Sequence, residues 1–176
     1  MNEHSRGRIK TNSEKTLHAF ELFVSYSRED ARIIKPLVKL LRTLRSVFLD
    51  EDTIPPGTKW RFQIVSALQN CETVIVFWCS HAAMSKEVEL EYRRAIELNK
   101  VVVPILLDAT VIPDVLAQYQ AIDLRTALGD HETGRIGLPD EWRPAFSIGL
   151  RVPSDEELRS AGQYLVPRLY NLMVSR

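Results

Sequence analysis

Charge of one sign is not in surplus: 23 Lys and Arg balance 23 Asp and Glu, and no dense basic run offers the electrostatic footprint that a nucleic-acid backbone demands. DNA and RNA are therefore not expected as partners. Long apolar runs are also missing. None reaches the roughly 18 residues that span a bilayer, and the polar stretch from Met1 to Lys15 lacks the apolar middle of a secretory signal, so a cytoplasmic protein with no membrane partner is expected. Cysteine is scarce. Cys71 and Cys79 lie in or beside apolar sequence without metal-type spacing and read as reduced core residues rather than as ligands or a disulfide. His4, His18, His81 and His131 form no HExxH or Cys/His pattern, and no glycine-rich loop is present to cradle a phosphate, so no metal and no bound cofactor are expected. Ser80 and His81 are adjacent, but without a nucleophile elbow they do not make a hydrolase triad.

What the chain does have is alternation. After a polar leader, 1–17, apolar strands and amphipathic helices take turns over 18–176, which predicts one α/β domain with a parallel sheet covered on both faces. The first strand is expected at 19–25 and stops abruptly at Tyr26-Ser27-Arg28. Ser27 and Asp30 have the spacing of a capping box, after which Ile33, Ile34, Leu37, Val38, Leu41 and Leu44 recur at helical period. Ser46 to Asp50 reads as a second strand, followed by a loop in which Pro55, Pro56 and Gly57 block both helix and ladder. Trp60, Ile64 and Leu68 mark the next helix. Thr73 to Cys79 is continuously apolar, as a central strand buried on both faces should be. Ser85 is placed to cap a helix running to about Asn99. Val101 to Leu107 reads as the fourth strand, Ile112 to Gln118 as a short helix and Ala121 to Leu124 as a fifth strand. Glycine and proline accumulate in an irregular excursion, 125–153. Ser154 and Glu157 then form a second capping box, and Leu158, Ala161, Leu165, Leu169 and Leu172 give the final helix, 154–174, one apolar face.

Five strands alternating with helices resemble the flavodoxin-like plan, a three-layer α/β sandwich around a parallel sheet in the order 2-1-3-4-5. Response-regulator receivers on that plan carry an acidic pair after strand one, a phosphoacceptor aspartate after strand three and a lysine after strand five. Here Ser25-Tyr26 and Ser80-His81 stand at the first two places, the lysine is missing, and Asp50 follows strand two. The Toll/interleukin-1 receptor (TIR) family fits instead. Phe20 to Tyr26 resembles its first box; Phe48-Leu49-Asp50, leading into Pro56-Gly57 and then Trp60, resembles its second strand, BB loop and following helix; Thr73 to Ser80, Ser85 and Glu91 continue in register. The resemblance covers about 19–124.

Seen alone, Glu91 among Glu87, Glu89, Arg93 and Arg94 is a charged helix face with i,i+3 and i,i+4 pairs. The resemblance gives it more meaning. TIR domains that cleave NAD+ carry a glutamate six residues beyond a serine, and Ser85 to Glu91 reproduces that spacing, which implies Glu91 as the catalytic carboxylate. The apolar stripe of Val88, Tyr92, Ala95 and Ile96 would set Glu91 on its shoulder. By the same resemblance Tyr26, Ser27, Arg28, Asp50, Trp60, Ser85 and Glu87 would line the substrate cleft, with Glu87 standing where many NAD-cleaving members have tryptophan. Trp78 and Tyr26 are the candidates to supply aromatic surface in its place, although Trp78 in an apolar strand also reads as core. Ile54, Pro55, Pro56 and Gly57 would form a loop for self-association. The function implied is that of a bacterial-type immune or cell-death NAD+ nucleosidase, with NAD+ as substrate rather than cofactor, releasing nicotinamide and ADP-ribose, a cyclic isomer or a base-exchanged nucleotide. The rival is a non-catalytic TIR adaptor that works by TIR–TIR association.

Overall fold

Strand β1 (Leu22–Ser25) and strand β3 (Thr73–Trp78) form the centre of the sheet, and neither exposes a side chain. The computed structural model describes residues 21–43, 45–49, 60–125, 127–128 and 154–174, with the side chains of 60 and 172–174 excepted. In chain order a 3-10 turn at Arg28–Asp30 and helix α1 (Ala31–Leu41) follow β1, and the remaining elements are β2 (Val47–Phe48), α2 (Trp60–Asn70), β3, α3 (Ser80–Met84), α4 (Lys86–Glu97), β4 (Val101–Leu106), α5 (Asp114–Ala117), β5 (Ile122–Asp123) and α6 (Asp155–Val174). All four strand pairings are parallel and the order is β2-β1-β3-β4-β5, as the alternating pattern predicts. Strands are shorter than the apolar runs suggest, because pairing ends where the chain turns toward a helix.

A strand buried on both faces must be apolar at every position, and Val74, Ile75, Val76, Phe77 and Trp78 satisfy this with at most 4% exposure. At about 1.5–3 kcal/mol per large side chain, this strand is a main source of stability. Phe23 of β1 stacks on Phe48 of β2 with ring centroids 5.3 Å apart. Helix α1 turns Ile33, Ile34, Leu37, Val38 and Leu41 inward. Helix α6 packs on α1 through a face that includes the buried Ala161, Leu165 and Leu169. The approach is close: a Cβ built on Gly162 would overlap Leu40 Cδ1.

Local signals are met at several helix ends. At α6, Glu157 N donates to Ser154 Oγ (3.2 Å) while Ser154 N donates to Glu157 Oε2 (2.7 Å), so the second capping box is formed. Ser85 Oγ accepts from Val88 N at the start of α4. Helix α4 ends in a Schellman motif: Asn99 takes the left-handed conformation (φ 53°), Lys100 N donates to Ala95 O and Asn99 N to Ile96 O. The capping box expected at Ser27 and Asp30 does not form. Ser27 makes no side-chain cap, and the Asp30 carboxylate is engaged elsewhere.

Candidate active site

Parallel pairing of β1 with β3 sets Ser25 beside Val76, so the chain leaves both strands at the same edge of the sheet. Ligands of open α/β sheets bind beyond the carboxyl ends of strands. A cavity of about 700 Å³ opens there, lined by Val24, Tyr26, Ser27, Arg28, Glu29, His81, Met84, Ser85, Lys86, Glu87 and Glu91. Six of the residues singled out in the sequence are therefore brought together: Tyr26, Ser27 and Arg28 from the end of β1, and Ser85, Glu87 and Glu91 from the start of α4. Trp60 opens α2, with its backbone alone described, and Asp50, Ile54, Pro55, Pro56 and Gly57 lie outside the described residues.

Glu91 is half-buried beside Val88, Tyr92 and Ala95, which are buried, so it occupies the shoulder of the apolar stripe as helical geometry requires. Glu87 is exposed one turn earlier on the same helix and lines the same cavity. Trp78 does not reach the cavity. It is core, its indole Nε1 donating to Val111 O (3.2 Å) and its ring meeting Tyr92 edge-on. Tyr26 is the aromatic group at the site. Arg28 and Lys86 supply positive charge to a wall that also carries Glu29, Glu87 and Glu91.

Beneath this wall lies a cluster that sequence reasoning missed. Asp30 is 3% exposed. Its Oδ1 contacts His81 Nδ1 at 2.7 Å and its Oδ2 accepts from the Cys79 thiol at 2.9 Å. His81 Nε2 lies 3.3 Å from Glu29 Oε2. Burial, and then the neighbouring Asp30, push the Cys79 thiol far above its ordinary range, which keeps it protonated and makes it a donor. The same sulfur accepts from Ala82 N and so caps α3. Ligand atoms of Asp30, Cys79 and His81 lie within 4.8 Å of one another, a spacing that would also admit a divalent cation at the cost of displacing the thiol proton. The adjacent loop is fixed by Asp108, whose carboxylate accepts from Ser80 N and Thr110 N.

A second, apolar groove of about 300 Å³ adjoins the first and shares Glu87 and Glu91 with it, with Ile64, Val65, Leu68 and Leu90 as its apolar lining and Arg61 and Arg94 beside them.

A family model described as TIR domain matches residues 22–136. The chain belongs to the TIR domain family. Among solved structures it is similar to the TIR domain of the Toll-related receptor TRR-2 from Hydra magnipapillata, at 22% identity and a TM-score of 0.53, covering 73% of this chain and 96% of that one. It is also similar to the TIR domains of the activated Roq1 resistosome that recognises the pathogen effector XopQ, at 16% identity and a TM-score of 0.47, covering 82% of each chain. No curated protein matches. The sheet order is that of the TIR fold. No helix among the described residues is long and apolar enough to cross a membrane.

Proposed function

We propose that this TIR domain is an NAD+ nucleosidase that breaks the bond between nicotinamide and ribose, with Glu91 as the catalytic carboxylate. The observation that carries the reading is the opening of Glu91 into the 700 Å³ cavity that also gathers Tyr26, Ser27, Arg28, Ser85 and Glu87. An ordinary glycosidase needs an acid to protonate its leaving group and a second carboxylate at the anomeric carbon. Nicotinamide is cationic while attached and leaves neutral, so that acid is dispensable. One carboxylate beside the ribose suffices to hold its hydroxyls and to stabilise the developing oxocarbenium charge. Arg28 and Lys86 are the cations available to the diphosphate, and Tyr26 offers a flat surface to a ring. The proposed products are nicotinamide with ADP-ribose or a cyclic isomer, and the proposed setting is bacterial-type immune or cell-death signalling. Incubating concentrated purified protein with NAD+ and separating the products by chromatography tests this directly; absence of nicotinamide at high protein concentration rejects it.

A second reading, an adaptor that acts by TIR–TIR association, is favoured by the apolar groove between α2 and α4, where Leu90 is 68% exposed and Val65 39%. The two readings are compatible if association completes the NAD+ site.

A further inference from the structure

We propose that Asp30, Cys79 and His81 bind a zinc ion beneath the floor of the cavity, His81 through Nδ1, Cys79 through its sulfur and Asp30 through a carboxylate oxygen. The site is independent of what the cavity above it cleaves.

The donor set is the first argument. One imidazole nitrogen, one sulfur and one carboxylate oxygen lie within 4.8 Å of one another. Asp30 is 3% exposed, Cys79 is fully buried and the His81 side chain is 10% exposed. Mixed nitrogen, sulfur and oxygen donors suit zinc, whereas calcium and magnesium take oxygen alone. Thiolate, carboxylate and neutral imidazole around a doubly charged ion also make an electrically neutral centre, which suits burial. Three protein ligands leave the fourth tetrahedral position to water. His81 lines the cavity, so ion and water have a way in.

The outer side of His81 is the second argument. Its Nε2 lies 3.3 Å from Glu29 Oε2. A histidine that binds a metal through one nitrogen characteristically donates its other N–H to a carboxylate, which fixes the ring and its tautomer. Both ring nitrogens of His81 face carboxylates, and the two have different parts: Asp30 shares the metal with Nδ1, and Glu29 holds Nε2–H from outside. The frame is also fixed. Asp30 follows β1 and Cys79 follows β3, strands that pair directly, while Asp108 anchors the intervening turn by accepting from Ser80 N.

Little movement is needed. Tetrahedral zinc, with bonds of about 2.0–2.3 Å, sets its ligands roughly 3.4–3.6 Å apart. The present contacts of Asp30 are 2.9 Å to the Cys79 sulfur and 2.7 Å to His81 Nδ1, each closed by a proton. The ion takes the place of those two protons, and the side chains open by about 0.5–1 Å. Its charge outweighs the burial and the Asp30 charge that keep the thiol protonated in the metal-free protein. Once seated, it ties the end of β1 to the end of β3.

Cobalt(II) is the probe, because a thiolate ligand gives it an intense near-ultraviolet charge-transfer band that nitrogen and oxygen ligands do not. Titrated into the reduced protein, cobalt should raise this band to a plateau at one ion per chain, and zinc should bleach it. Cys79→Ser should remove the band and Cys71→Ser should keep it. Zinc at about 100 times its dissociation constant should raise the wild-type thermal midpoint by about 5–10 °C and move Cys79→Ser little. X-ray absorption of the zinc-loaded wild type needs no variant to fold: it should show one sulfur at about 2.3 Å with nitrogen and oxygen at about 2.0–2.2 Å. A wild type without the band at saturating cobalt, a band that survives Cys79→Ser, or a zinc shell without sulfur overturns the site.

Discussion

Asp30 and His81, 51 positions apart in sequence, meet at 2.7 Å under the floor of the cavity, and Asp30 binds Cys79 with its other oxygen. Truncating the carboxylate leaves two donors without their acceptor in a buried setting. Asp30→Ala should cost about 2–4 kcal/mol in urea unfolding. A loss below about 1 kcal/mol would show that water or a rearranged partner replaces the carboxylate.

Glu91→Gln should lower NAD+ turnover by about 10²–10³-fold, the usual loss for a preorganised electrostatic group. Glu87→Gln, one turn earlier on an exposed position, should cost less. Thermal midpoints should move little for either variant, since Glu87 is exposed, Glu91 is only half-buried and glutamine keeps the shape of both. Wild-type turnover in Glu91→Gln at matched concentration would remove it from the chemistry.

If association completes the site, specific activity should rise with protein concentration, and Leu90→Glu should flatten that rise. Leu90 is 68% exposed, so the charge is accommodated in the monomer and acts only on docking. Sedimentation velocity across the same concentrations checks it; equal association of both proteins would assign the groove no part in assembly.

Gly162→Ala should raise stability by about 0.5 kcal/mol. The helix gains up to about 1 kcal/mol in propensity, and the atom in the way, Leu40 Cδ1, is the tip of a side chain 39% exposed and free to rotate outward at modest cost. A fall in the urea midpoint would mean that α1 and α6 hold Leu40 in place.

Burial pushes the Cys71 thiol up to about 11, while in the unfolded chain it ionises near 9.0. Below 9.0 both states are protonated and this residue adds no pH dependence. Above it the unfolded chain holds fewer protons, so stability falls as pH rises until the folded thiol also ionises. Cys79, pushed up further by burial, acts in the same direction. Urea midpoints should therefore decline on the alkaline side of 9.0, and Cys71→Ala should show a shallower decline.

The sheet was legible because its strongest strand has no polar interruption: Val74 to Trp78 must be buried on both sides, and only a central position allows that. That Ser85 and Glu91 share the cavity follows from their spacing, a relationship contained within one helix and its cap. The Asp30 cluster was not legible. Its members are distant in sequence and meet only because β1 and β3 end side by side, and Asp30 carried a competing local signal as the third residue after Ser27. A helix-cap pattern says which backbone donors await an acceptor; it does not say that another side chain will claim the carboxylate first.

Helix α6 follows the other described elements in sequence, yet it packs against α1, one of the earliest of them. During synthesis the α1 surface that α6 covers stays bare until Leu169 has left the ribosome. Such non-local closure slows folding and exposes apolar surface in the interval. Premature stops within α6 should therefore yield chains that carry the entire cavity and still become substrates for chaperones and proteases.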